Sequence, residues 1–143
     1  MRARYIHFKI LGAGIAPLVA LESSRNVPFE IRRVYYLFGT PRHIRRGYHA
    51  HKTLQQLLVC VRGKCKMMLD DGLEKREYLL DRPDLGLYIS SMIWREIYDF
   101  SDDCVLVVLA DQLYDESDYI RNYDEFLQNC QKSRDNSEKE KFP

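Results

Sequence analysis

From residue 31 to residue 110 the chain is a succession of short apolar runs cut by turn residues at close, regular intervals. Residues 31–38 are dense in β-branched and aromatic side chains, and Gly39-Thr40-Pro41 ends them. Residues 54–61 lead through Arg62-Gly63-Lys64 into residues 65–69, which stop at Asp70-Asp71-Gly72. Those glycines predict two tight hairpins in succession. Further strands are predicted at residues 77–80, 85–89, 93–100 and 104–110, and two brief ones earlier, at 5–10 and 17–22, on either side of Leu11-Gly12-Ala13-Gly14. Parallel strands need long crossovers, usually helical, and no helical pattern intervenes here. The chain is therefore predicted to be all-β, an antiparallel sandwich or barrel.

The end of the chain differs. Tyr119, Ile120, Tyr123, Phe126 and Leu127 recur at helical intervals, predicting one short helix over residues 119–130 docked by its apolar face. Residues 131–143 are highly charged and lack core side chains until Phe142, so a single domain over residues 1–130 with a frayed or disordered tail is expected. With 22 basic and 21 acidic side chains, no overall field draws the protein to nucleic acid or to a membrane. No apolar run reaches signal-peptide or bilayer-spanning length, which makes a cytoplasmic protein the expectation. Cys60, Cys65, Cys104 and Cys130 contain no C-x-x-C pair and read as buried, reduced thiols.

Three of the four histidines fall between residues 43 and 51. On a strand, His49-Ala50-His51 directs both imidazoles to one face, and on the inner wall of a small barrel they share one pocket. The spacing can be tested against the metal-binding cupin pattern, H-x-H, a short spacer, Glu, six residues, then Gly, with a later histidine. Here the frame is kept, but Gln56 stands in the carboxylate's place before Gly63, and no histidine follows His51. Arg95 lies near the place of the missing ligand. Two imidazoles, an amide and a guanidinium make a poor site for a divalent metal, so no metal and no cofactor are expected. What remains suits proton transfer on an anionic or polyhydroxylated ligand.

The stretch Arg46-Gly47-Tyr48-His49-Ala50-His51-Lys52, followed by Gln55-Gln56 and Leu69-Asp70-Asp71-Gly72, resembles the sugar 3,4-ketoisomerases. So do Leu85-Gly86-Leu87-Tyr88, Trp94-Arg95-Glu96 and the run Tyr114-Asp115-Glu116-Ser117-Asp118-Tyr119-Ile120-Arg121. The similarity covers residues 5 to 127. It implies an RmlC-like cupin, a jelly-roll β-barrel, that acts as a homodimer and without metal on dTDP-4-keto-6-deoxyglucose. The product implied is a 3-keto sugar bound for aminosugars of surface polysaccharides or glycosylated metabolites. One departure stands out: family members often carry Asp-x-Arg-Gly near the N-terminus, where this chain has Gly12-Ala13-Gly14-Ile15-Ala16-Pro17.

Moving a carbonyl from C4 to C3 needs a base for the C3 proton, and either His49 or His51 can serve, with the other polarising the oxygens or relaying a proton. Strand alternation lets one of Tyr35 and Tyr36 face the pocket, and Tyr35 is the one expected to help shuttle protons. Gln56, at the cupin ligand position, is expected to bind sugar hydroxyls. Arg33, Arg46 and Arg95 are the candidates for the diphosphate, because guanidinium suits it best. Three rivals stand against this reading. An RmlC-like epimerase is disfavoured because no His-Asp arrangement is evident; the others are a non-catalytic sugar-binding cupin and a metal-dependent oxygenase.

Overall fold

Strand β4 (Gln56–Arg62) shows in miniature why the chain folds as it does. Leu57 to Cys60 are all buried, which only a strand covered on both faces requires. Leu58 and Cys60 point into the barrel, whereas Leu57 and Val59 point outward beneath Phe8, Val27 and Phe29. In the computed structural model, which describes residues 1–141, β4 is the centre of a five-stranded sheet ordered β1-β7-β4-β9-β2. Its partners are β1 (Ala3–His7), β2 (Arg33–Phe38), β7 (Leu85–Ile89) and β9 (Val105–Ala110). A second sheet runs β10-β3-β8-β5-β6, from β3 (Arg46–His51), β5 (Cys65–Asp70), β6 (Lys75–Leu80), β8 (Trp94–Tyr98) and β10 (Tyr119–Ile120). Every pairing within the two sheets is antiparallel, and from β7 onward successive strands alternate between them. The expected all-β jelly-roll barrel is the fold that forms, its core held between the sheets by Leu58, Met67, Leu69, Leu87, Ile89, Leu106 and Val108.

Of the two predicted hairpins the second forms, β5 pairing with β6 across Asp70-Asp71-Gly72, whereas Arg62-Gly63-Lys64 is a corner that carries the chain from β4 in one sheet to β5 in the other without pairing them. At the second, Asp71 Oδ1 accepts hydrogen bonds from Leu73 N (2.9 Å) and Glu74 N (3.0 Å), while Asp70 Oδ1 accepts from Gly72 N (2.7 Å). These aspartates satisfy the turn's own amides, which is what their side-chain length suits.

Two further elements depart from expectation. Residues 17–22 form no strand; a single bridge joins Leu11 to Leu18, and the segment loops across the outer face of the first sheet. Asn26 explains it, because its amide accepts from Glu22 N and donates to Ala20 O, both at 2.7 Å. Such local side-chain bonds offer the backbone an alternative to a ladder. The C-terminal helix is also displaced: α1 spans Tyr123–Lys141 rather than residues 119–130. Asn122 Oδ1 accepts from Glu125 N at 2.9 Å and starts it there. Tyr119 and Ile120, read as the helix's first turn, instead pair with His51 and Ala50 as β10. Residues 131–141, expected to fray, continue the helix, with Asp124 and Glu125 in its first turn and Lys139 and Lys141 in its last complementing its dipole. The final two residues lie outside the described part. Phe126 and Cys130 are its buried side chains and pack with Ala50, Trp94 and Ile120.

Candidate active site

The site is built where β3, β8 and β10 of one sheet face β4 and β2 of the other. His49 and His51 point to the same face of β3, their rings edge to face with centroids 4.9 Å apart. A bulge in the β3–β8 pairing between Gly47 and His49 sets their pitch. It uses two left-handed residues, Gly47 (φ 99°) and Tyr48 (φ 55°). A Cβ on Gly47 would lie 2.6 Å from the Arg95 carbonyl oxygen, so the two strands can approach here only because that position is glycine. Gly47→Ala is therefore expected to cost about 1–3 kcal/mol in urea denaturation, with activity falling too as His49 shifts. Wild-type stability would mean that the strands separate without penalty.

Each imidazole is held by its Nδ1. His49 Nδ1 donates to the Gly47 carbonyl oxygen at 3.0 Å, and His51 Nδ1 donates to Asp118 Oδ2 at 3.1 Å. Both Nε2 atoms are thereby left as the unprotonated, basic nitrogens. His51 is fully buried, and its Nε2 has no partner among the described residues. Tyr119 packs over both rings, 5.0 Å from His49 and 4.3 Å from His51, with the Arg121 guanidinium 4.3 Å from its own ring. Burial, and secondarily the Arg95 charge, lower the His49 imidazole to about 4. The same two causes hold His51 well below the ordinary imidazole range, outweighing the Asp118 carboxylate, which works the other way. Both rings are neutral at physiological pH.

Facing them is a polar chain. Arg95 is 2% exposed. Its Nη2 donates to the Ile93 carbonyl at 2.8 Å and its Nη1 to Gln56 Oε1. Gln56 Nε2 donates onward to the Tyr35 hydroxyl at 3.0 Å. Burial raises the Tyr35 phenol, so it stays protonated. Arg33 flanks Tyr35, its guanidinium 5.4 Å from that ring and 5.7 Å from Tyr114. Arg33 Nε and Nη2 and Arg95 Nε are buried without partners among the described residues, as is His51 Nε2. Buried polar groups are rarely orphaned, and such a set marks where a ligand supplies the missing bonds. A metal fits poorly there, since Gln56 Oε1 is already taken by Arg95 and that guanidinium stands beside both imidazoles.

Of the residues singled out in the sequence, His49, His51, Tyr35, Gln56 and Arg95 come together as one constellation, and Arg33 joins its edge. Arg46 does not; it is exposed on the rim of an open cleft of about 520 Å³ that His49, Tyr35, Tyr119, Arg45 and Arg121 also line. The residue missed is Asp118. The absence of a His-Asp arrangement, expected from the sequence, is overturned by the His51–Asp118 bond across 67 positions. Asp118 is fixed in turn by Thr53 N (2.9 Å), Thr53 Oγ1 (2.8 Å) and Leu54 N (3.3 Å), which donate to its carboxylate. Tyr119 was read as helix packing, and both residues sit in the tyrosine-rich run 114–121, whose pairing with His51 no local periodicity shows.

Comparison with known proteins agrees with this architecture. Residues 1–131 match the family model described as "FdtA: WxcM-like, C-terminal". The chain is 50% identical over 126 residues to a TDP-4-oxo-6-deoxy-alpha-D-glucose-3,4-oxoisomerase of Aneurinibacillus thermoaerophilus, covering 88% of this chain and 91% of that one. The crystal structure of a 3,4-ketoisomerase from Helicobacter canadensis superposes with a TM-score of 0.89 at 40% identity, over 92% of this chain and 98% of that one. A mutant of the 3,4-ketoisomerase QdtA from Thermoanaerobacterium thermosaccharolyticum, solved in complex with TDP-4-keto-6-deoxyglucose, superposes with a TM-score of 0.88 at 42% identity, over 91% and 94%. The fold, the histidine pair and these matches together place the chain in the FdtA family of sugar 3,4-ketoisomerases.

Proposed function

We propose that this chain isomerises TDP-4-keto-6-deoxyglucose to a TDP-linked 3-keto-6-deoxyhexose, with His51 as the base and His49 as the proton relay. The observation that carries the reading is the orphaned Nε2 of His51, backed through Nδ1 by a buried carboxylate. The carboxylate fixes the tautomer and stabilises the imidazolium as it forms. The base takes the C3 proton, made acidic by the C4 ketone, to give an enediolate. Protonation at O4 gives the enediol. Loss of the O3 proton and delivery of a proton to C4 then place the carbonyl at C3, with no net gain or loss of electrons. His49, at the cleft wall with only a neutral carbonyl behind its Nδ1, suits the oxygen-to-carbon transfers. Arg95 and the Gln56–Tyr35 pair are aimed to hold the sugar oxygens, and Arg33 beside Tyr35, with Arg46 and Arg121 on the cleft wall, suit the diphosphate.

Incubation with TDP-4-keto-6-deoxyglucose, followed by NMR, tests the reading: a 3-keto product supports it, and unchanged substrate rejects it in favour of a binding module. The His51–Asp118 pair is the one observation that favours an RmlC-like epimerase instead. An epimerase would return a 4-keto sugar with an inverted carbon, so the same spectrum separates the two.

The acid limb of kcat/KM is expected near 4, where His49 protonates, rather than near the ordinary imidazole value of about 6.5. Protonation stops His49 from taking a proton from the sugar oxygen, so activity falls as pH drops through that value. The same depressed imidazoles tie stability to pH in one direction. Their contribution is whole above the unfolded value of 6.5 and is lost as pH falls through about 4, because the unfolded chain binds those protons first. An acid limb at 6 or above in the pH–rate profile would show that the rings are not desolvated as described.

The homodimer implied by the family resemblance belongs to the same proposal. Strand β2 is an edge of its sheet and turns Val34, Tyr36 and Phe38 outward, at 56, 63 and 69% exposure. An exposed apolar edge of this kind invites a second strand or sheet. Sedimentation equilibrium should return twice the chain mass, and Phe38→Glu should shift it toward one.

A further inference from the structure

At the end of the barrel away from the histidines, three sulfur atoms converge. Cys60 lies near the end of β4, Cys65 opens β5 across the Arg62-Gly63-Lys64 corner, and Cys104 immediately precedes β9. Their Sγ atoms lie within 4.8 Å of one another, and those of Cys60 and Cys104 are 3.6 Å apart. Gln56 and Cys60 share a strand, so the cluster stands roughly 13 Å along β4 from the proposed active site. The proposed reaction uses none of these thiols.

We infer that Cys60, Cys65 and Cys104 form a binding site for a soft divalent d¹⁰ cation of the zinc and cadmium class. Geometry is the first argument. A metal with sulfur ligands at about 2.3 Å sets them about 3.8 Å apart when tetrahedral. The trio already stands near that spacing, so coordination needs only small side-chain movements. Donor chemistry is the second. The three donors are all sulfur, which selects soft ions over magnesium or calcium. The Arg62 carbonyl oxygen, 3.1 Å from Cys60 Sγ, is an available fourth donor.

Rigidity is the third argument. A Cβ on Gly63 would lie 2.9 Å from Cys104 N, so this corner and the turn before β9 are packed backbone to backbone. Ser101 ties them further: its carbonyl accepts from Cys104 N at 3.0 Å and its hydroxyl accepts from Lys64 N at 2.9 Å. A frame of this kind holds three ligands in place before the ion arrives. Charge is compatible as well. A divalent ion displacing three thiol protons leaves one net negative charge, and the corner joining two of the ligands carries Lys64 and Arg62, the latter 3.7 Å from Asp103.

The test titrates the reduced, metal-free full chain with Cd²⁺ and reads the sulfur-to-metal charge-transfer band. Saturation is expected at one equivalent per chain, with the band lowered by about a third in Cys104→Ser, unaltered in Cys130→Ala and unaltered in His49→Gln. No band, saturation at another stoichiometry, an undiminished band in Cys60→Ala, or loss of the band in His49→Gln would overturn the site. Because a core substitution can unfold the barrel, the wild-type chain supplies a second readout. Cd²⁺ should slow alkylation of three of its four cysteines in mild denaturant, and equal rates with and without the ion would overturn the proposal.

Discussion

His51→Asn should lower kcat by about 10³-fold, the usual worth of a positioned general base, while leaving KM for the TDP-sugar within a small factor. The asparagine keeps a donor for Asp118 but offers no basic nitrogen in place of Nε2, so the barrel should keep its stability and lose its chemistry. Deuterium exchange at C3 divides the labour between the two rings. His51→Asn should abolish exchange, because the C3 proton no longer leaves. His49→Asn should permit exchange while slowing the appearance of the 3-keto product, because the enediol still forms but is returned. Wild-type exchange in His51→Asn would transfer the base to His49 and refute the assignment.

The second large effect is expected at Asp118. Its carboxylate takes four hydrogen bonds, from His51 Nδ1, Thr53 N, Thr53 Oγ1 and Leu54 N. Asp118→Asn replaces one acceptor oxygen by an amino group. Turned toward His51, that group reverses the tautomer, so Nε2 carries the proton and ceases to be a base. Turned toward Thr53, it faces donors with a donor. The expected result is a fall in kcat of about 10²-fold or more, together with a loss of about 1–3 kcal/mol from unpaired buried groups. Kinetics and thermal denaturation on one preparation check both. A stable, fully active Asp118→Asn would show that the carboxylate is incidental to catalysis.

The contrast between Gln56 and Asp118 shows what the sequence could and could not disclose. Gln56 was legible because strand alternation and the cupin spacing both put it inside, and it is found there between Arg95 and Tyr35. His49 and His51 were legible for the same reason: H-x-H on any strand faces one way. Tyr35 follows from the period of two. Asp118 has no such local signature, since its role depends on a pairing between β3 and a two-residue strand nearly seventy positions later. Tyr119 and Ile120 fit a helical period with Tyr123 and Phe126, and the error arose because edge pairing with His51 and Ala50 overrode that period. The continuation of α1 past Cys130 was missed because burial was the criterion, whereas Lys and Glu carry that stretch as good helix formers. Arg46 was chosen for its charge and its neighbours in sequence, but a bulge beside it leaves it at the rim.

The short strand β10 has a consequence for how an active molecule comes into being. Nine strands are complete by Ala110, yet the histidine pair gains its carboxylate and its tyrosine cover only when Asp118 and Tyr119 arrive. The segment is then clamped from outside by Ile120 and Phe126 packing on Ala50 and Trp94. On the ribosome the barrel can collapse early, but the catalyst is assembled only once a segment beyond the ninth strand has emerged. Nascent chains halted just short of Asp118 should therefore bind a conformation-specific probe of the barrel while turning over no substrate, and premature termination there should leave a folded but inert shell.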